Sequence, residues 1–208
     1  MSGGKASKNV VVVGIGGAGC NMLVRFSKEG ADKNMRLVAL NTEASALRRI
    51  KDNRIKRVLI GAKILRGFSA AGDPAKGAMA AIKDGTAISE AIGRPGAVFL
   101  LAGLGGGTGT GAIPIIADIA RKRGATVNAI VVYPFRLERI RREKARAAIP
   151  ALVEKCDSLA IESNDALVKL VPNLPMNEAF RIIDDRVSRY ITSRIEESGR
   201  WSHEHDGS

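Results

Sequence analysis

Ala102-Gly103-Leu104-Gly105-Gly106-Gly107-Thr108-Gly109-Thr110-Gly111 is the stretch that decides this sequence. It follows an apolar run, Ala97 to Ala102, and precedes a segment of helical spacing from Gly111 to Arg123. Consecutive glycines at a strand-to-helix junction let neighbouring backbone N–H groups converge on one anion, and the hydroxyls of Thr108 and Thr110 suit phosphate oxygens. The helix that follows adds the partial positive charge of its N-terminus. A flexible linker is not expected between a buried strand and a helix. A P-loop is excluded, because Gly-x-x-x-x-Gly-Lys-Ser/Thr occurs nowhere in the chain.

Working outward, a second glycine cluster closes the first strand: Val13-Gly14-Ile15-Gly16-Gly17-Ala18-Gly19. It satisfies Gly-x-Gly-x-x-Gly, but the acidic residue that would end the second strand of a dinucleotide site is replaced by Asn41, which weakens an NAD reading. Strand candidates are Asn9–Gly14, Met35–Asn41, Arg54–Ile60, Ala97–Ala102, Thr126–Tyr133 and Ser158–Glu162. Helix candidates are Gly17–Lys28, Glu43–Ile50, Pro74–Ala91, Gly111–Arg123 and Leu137–Lys155. Uninterrupted runs such as Val10-Val11-Val12-Val13 mark strands covered on both faces. Strand alternating with helix predicts a three-layer Rossmann-like α/β domain, its mostly parallel sheet holding about six strands. Ala179, Ile182, Ile183, Val187, Tyr190, Ile191 and Ile195 recur at helical spacing, so a long helix from Met176 to about Ile195 ends the fold. Residues 1–8 and 198–208 read as flexible ends around a domain spanning 9–197.

The chain has 208 residues, of which 45% are hydrophobic, enough for one well-buried domain of this size. No apolar run approaches the roughly 18–20 residues that span a bilayer, and no signal peptide opens the sequence. Cys20 and Cys156 have neither disulfide-framework nor metal spacing, and the i,i+2 pair His203 and His205 suits a solvated tail. No metal site is expected, and a reducing cytoplasm is the natural location. The net charge of +12 is the unusual bulk property. It gathers in Arg48–Arg57 and Arg136–Arg146, without interleaved aromatics, so solvated helix faces are favoured over a nucleic-acid or membrane surface.

Gly105–Gly111, taken with the rest of the chain, resembles the signature of the tubulin/FtsZ superfamily, and the likeness runs from Val10 to about Ile195. Leu40-Asn41-Thr42-Glu43-Ala44 is similar to the family's second-strand loop, and Gly67-Phe68-Ser69-Ala70-Ala71-Gly72-Asp73-Pro74 to its γ-phosphate loop. Pro134-Phe135-Arg136-Leu137-Glu138 with Arg142 resembles the ribose turn, and Ser163-Asn164-Asp165 with Phe180 and Asp185 the base-recognition positions. The wording is closer to FtsZ than to eukaryotic tubulins. The resemblance implies GTP or GDP as ligand, with Mg²⁺ carried through the nucleotide's phosphates. Gly16, Gly17, Ala18 and Gly19 would bind the α- and β-phosphates. Gly105, Gly106, Gly107, Thr108, Gly109 and Thr110 would cradle the β- and γ-phosphates, with Ala70, Ala71 and Gly72 facing the γ-phosphate. Glu138 and Arg142 would hold the ribose edge, Phe180 would stack on the base, and Asn21, Asn164 and Asp185 would read it. An aspartate can accept from the N1–H and exocyclic amine of guanine, a donor pair that adenine lacks. Three departures stand out: Ala18 for a usual glycine, Ser69-Ala70 in the γ-phosphate loop, and Asp184 where FtsZ commonly has asparagine.

In the family, an acidic loop after the long helix reaches the nucleotide of the next subunit, and a second domain follows. The sequence given shows neither, so no catalytic residue is assigned. The resemblance implies a GTP-binding cytoskeletal protein of cell division or cell shape with slow or partner-dependent hydrolysis to GDP and phosphate. The alternative is a non-polymerising regulator, or cap, of a full-length FtsZ-like partner. Association with itself is the remaining partner class.

Overall fold

The computed structural model describes residues 9–166 and 176–205, with the side chains of Met176, Asn177, Ala179, Phe180 and 197–205 left aside. Six strands form one sheet: β1 Val10–Ile15, β2 Arg36–Asn41, β3 Ile55–Leu59, β4 Ala97–Gly103, β5 Thr126–Tyr133 and β6 Ser158–Ser163. Every neighbouring pair is parallel and the order is β3-β2-β1-β4-β5-β6. The run Val10–Ile15 is wholly buried because helices cover both sheet faces, and this is why its sequence does not alternate. Chain order reverses between β1 and β4, which opens a crevice at their carboxyl ends, the usual ligand site of an open parallel sheet.

The helices are α1 Gly16–Glu29, α2 Ala44–Arg49, α3 Ala62–Leu65, α4 Pro74–Lys83, α5 Gly85–Ile92, α6 Thr108–Lys122, α7 Arg139–Lys155 and α8 Met176–His205. One core joins Val11, Val13, Val38 and Leu100 to Ile88, Ile92, Ile113, Ile116, Ala145 and Leu152 of α5, α6 and α7. On the other face Val12, Leu37, Ala39, Phe99 and Leu101 meet Leu23 and Phe26 of α1 and Ile183, Val187 and Ile191 of α8. Burying a side chain such as Phe26 or Leu23 stabilises the fold by about 1.5–3 kcal/mol. The three-layer α/β fold expected from the pattern is the fold observed.

Helix α6 begins at Thr108 rather than Gly111, the short α3 is not among the helix candidates, and two further helices differ from the sequence reading. The single helix expected over Pro74–Ala91 is two, broken at Asp84, whose carboxylate accepts from Gly61 N (2.5 Å) at the start of α3. This long-range bond holds Asp84 out of helical geometry, and periodicity cannot register it. Helix α8 continues past Ile195 to His205; no proline follows Met176 to stop it.

Helix α4 is set by local chemistry: Asp73 caps it through Ala75 N (2.9 Å), and Pro74 occupies its first turn. Replacing Asp73 with alanine should cost about 1 kcal/mol. In a domain this size that corresponds to a melting point lower by about 2–4 °C. An unchanged melting curve would mean that Pro74 alone fixes the helix start.

Candidate functional site

The carboxyl end of β1 runs straight into α1, and that of β4 leads through the short loop 104–107 into α6. Gly16, with φ +69°, turns the chain from β1 into α1, and Gly105, with φ +91°, does the same before α6; both conformations disfavour any side chain. Neither helix has a capping side chain or an acidic residue in its first turn. Their leading N–H groups therefore lack intrahelical partners, and the partial positive charge of both N-termini is uncompensated. Both termini border one cavity of about 240 Å³, lined by Gly16, Gly17 and Ala18 from α1, by Gly106 and Gly107 from the β4–α6 loop, by Thr108 and Gly109 from α6, and by Ser69, Ala70, Ala71 and Gly72. Two glycine-bordered helix starts on one small cavity place backbone N–H donors where an anion could be bound.

The loop 69–72 is held in an unusual shape. Ala71 has φ +48°, a left-handed conformation that costs a non-glycine residue of order 1–3 kcal/mol. Ala70 is buried, and Lys144 Nζ on α7 donates to Gly72 O at 2.6 Å. The loop is therefore a strained segment tied to a neighbouring helix.

A second cavity, of about 270 Å³, adjoins the first: Ala18, Gly103 and Arg141 line both. Its lining combines apolar side chains, Met22, Leu104, Val132, Phe135 and Ile183, with polar ones, Asn21, Arg25, Glu138, Asn164 and Asp184. Asn164 Oδ1 is buried there with no hydrogen-bond partner among the described residues, an acceptor that a ligand donor would satisfy. Asp184 is 6% exposed and accepts from Arg25 Nη1 at 2.5 Å. Burial is the main force on its carboxyl group, pushing it up to about 6 against the opposing pull of Arg25. Glu138 accepts from Phe135 N (3.0 Å) with one oxygen and from Arg141 Nη1 (2.5 Å) with the other.

Most residues expected from the sequence converge on these two cavities, but several lie elsewhere. Gly19 packs against β4, where an added Cβ would strike Leu101 O, and it lines neither cavity. Gly105 N donates to Thr110 Oγ1 (2.8 Å), so both serve the shape of the loop. Thr108 borders the first cavity and shares its hydroxyl with Thr42 at 2.8 Å. Arg142 also lies outside both linings. Its guanidinium donates to Asp165 Oδ2 (3.0 Å) and Pro134 O (3.1 Å) and sits 4.8 Å over the Tyr133 ring. The cation at the junction of the cavities is Arg141 instead. Asp185 is exposed on α8, and Asp184, one position earlier, faces the cavity. The side chain of Phe180 lies outside the described residues.

Arg25, Asp184 and Arg141 are the site residues that sequence reading left unassigned. Two had a signal. Arg25 stands four residues after Asn21, on the same face of α1, and Asp184 precedes Val187 and Ile191 at the spacing of the buried stripe of α8. Arg141 had none, because only packing distinguishes it from Arg142. Cys20 is buried and its thiol is pushed up to about 12 by desolvation, so it acts as a small apolar side chain. Among the described residues no helix is long and apolar enough to cross a membrane.

Comparison with known proteins gives one consistent result. Residues 9–172 match the family described as Tubulin/FtsZ family, GTPase domain. Cell division protein FtsZ 2 of Methanocaldococcus jannaschii is 40% identical over 182 residues, 88% of this chain and 47% of the relative. Among solved structures, an empty FtsZ dimer of M. jannaschii superposes with TM-score 0.82 at 38% identity, over 91% of this chain and 55% of the other. A GDP-bound CetZ1 monomer of Haloferax volcanii gives TM-score 0.76 at 26% identity, over 87% and 58%. The chain thus spans about half the length of the relatives it matches.

Proposed function

The chain belongs to the tubulin/FtsZ family, and from that membership together with the two joined cavities we propose that it binds GTP and GDP as the nucleotide module of a cytoplasmic cell-division apparatus. The observation that carries this reading is the pairing of a backbone-built anion cavity with an apolar slot that ends in acceptors. The phosphates would lie against the N-termini of α1 and α6, with Mg²⁺ held on their outer oxygens. The ribose hydroxyls would bind Glu138, and the base would enter the slot between Leu104, Phe135 and Ile183. Asp184 would take the N1–H and exocyclic amine of guanine, and the orphan Asn164 Oδ1 offers a further acceptor. Adenine presents no such donor pair and would leave a buried carboxylate unsatisfied. Hydrolysis of GTP and association of copies of the chain into filaments are further parts of this proposal, since the likeness to FtsZ supports both.

The test is an equilibrium titration with fluorescent GDP and ADP on the wild type and on Asp184→Ala. Losing a charge-assisted hydrogen bond costs about 1.5–3 kcal/mol, so the preference for GDP should fall at least tenfold in the variant. Equal affinities in the wild type, or a preference unchanged by Asp184→Ala, would refute the guanine reading.

A further inference from the structure

Asp184 and Arg25 form the buried ion pair at the base end of the site, and the mechanism of base reading leaves one of them without a task. Arg25 reaches from α1 to a single oxygen, Asp184 Oδ2, at 2.5 Å. The remaining lone pairs of the carboxylate are available to a ligand. Arg25 is about one-third exposed at its side chain, whereas Asp184 is 7% exposed, so the pair spans from solvent to the cavity wall. Two further carboxylates bear on Asp184: Glu29, one turn beyond Arg25 on α1, and Asp185, its neighbour on α8. The other charges lining the cavity, Glu138 and Arg141, are paired with each other. Among these groups only Arg25 favours the ionised form of Asp184; burial, Glu29 and Asp185 all oppose it.

The protonation state matters because it inverts what the carboxyl group can read. Ionised, it only accepts, and it matches the N1–H and amine donors of guanine. Protonated, it gains an O–H that the bare N1 of adenine can accept, and it no longer accepts from both donors of guanine. A single proton thus separates a guanine-reading slot from an adenine-compatible one. We infer that Arg25 is a specificity-determining residue, whose ion pair keeps Asp184 an acceptor only and so confines the site to guanine at neutral pH. This rests on the guanine-nucleotide reading above.

The test is the ratio of GDP to ADP affinity measured by titration from pH 5 to pH 8, a ratio in which the ionisation of the diphosphates cancels. The folded value near 6 lies above that of a free carboxyl group, so the acceptor form is complete above pH 7 and is lost as the pH falls through 6. Wild type should hold its preference for GDP above pH 7 and lose about tenfold of it by pH 5. Arg25→Met should shift this loss upward by at least one pH unit, so that the preference is already reduced at pH 7. Arg25→Lys, which retains the positive charge, should restore the wild-type profile. If Arg25→Met does not fold, Arg25→Gln serves the same comparison. A flat wild-type ratio, or neutral variants with the wild-type midpoint, would overturn the assignment of Arg25. Asp184→Asn separates the two readings. A flat, weakened profile in that variant keeps Asp184 as the base reader whatever Arg25 does, whereas an undiminished preference removes the guanine reading itself.

Discussion

Gly106→Val is expected to lower GDP affinity by more than a hundredfold while the nucleotide-free domain melts within a few degrees of wild type. The expectation separates two glycines that look equivalent in the loop. An added Cβ at Gly106 meets nothing within 4 Å on the protein side, and Gly106 lines the cavity at the starts of α1 and α6. Valine there should project its methyl groups into the space the phosphates need, at little cost to the fold. At Gly107 the same atom would lie 2.8 Å from Ala70 Cβ and 2.9 Å from Asp73 N. Gly107→Val would therefore push aside the strained loop 69–72, and its effect would mix loop damage with lost binding. A ligand at a hundred times its Kd stabilises a folded protein by about 2.7 kcal/mol. In a domain this size that is a rise of about 5–10 °C in melting temperature. Gly106→Val should show none of this rise at the GDP concentration that saturates wild type. A variant shifted as far as wild type would mean that the phosphates do not lie against this loop.

Gly111→Ala is expected to destabilise the domain by about 3 kcal/mol or more, visible as a melting temperature lower by roughly 6–12 °C. Helix propensity alone predicts the opposite sign, since alanine in a helix interior is about 1 kcal/mol better than glycine. The packing of α4 on α6 decides between them. A Cβ at Gly111 would fall on Pro74 O and lie 2.7 Å from Ala78 N, and a Cβ at Gly77 would likewise fall on Gly107 O. Each helix presents a glycine to the other's backbone, and backbone cannot rotate away as a side chain does. The obstruction also reaches the site, because Pro74 follows the Asp73 cap that closes the loop 69–72. A melting temperature equal to or above that of wild type would show that the helices can separate cheaply, and the close approach would lose its structural meaning.

The amino-acid sequence by itself determined the layered α/β architecture, the parallel sheet and the two glycine clusters that precede α1 and α6. All three are encoded locally. A run such as Val10-Val11-Val12-Val13 needs cover on both faces, and a glycine cluster between strand and helix leaves backbone N–H groups exposed whatever surrounds it. The order β3-β2-β1-β4-β5-β6, with its crevice between β1 and β4, then brings the two clusters onto one cavity. Only the tertiary structure decided which neighbouring side chain faces that site. Asp184 and Asp185 are adjacent carboxylates about 100° apart on one helix, and the packing of Ile183, Val187 and Ile191 on α1 sets the rotation that turns Asp184 inward. Arg141 and Arg142 pose the same choice. Asp165 and the Tyr133 ring, remote in sequence, capture Arg142 and leave Arg141 at the cavity. The division of labour among the glycines has the same origin: φ at Gly16 and Gly105 is a local requirement, whereas Gly19 and Gly111 are glycine because β4 and α4 pass too close for any side chain. Local backbone preference is written in the neighbouring residues, but the phase of a helix and the capture of a long side chain depend on partners that only the folded chain brings within reach.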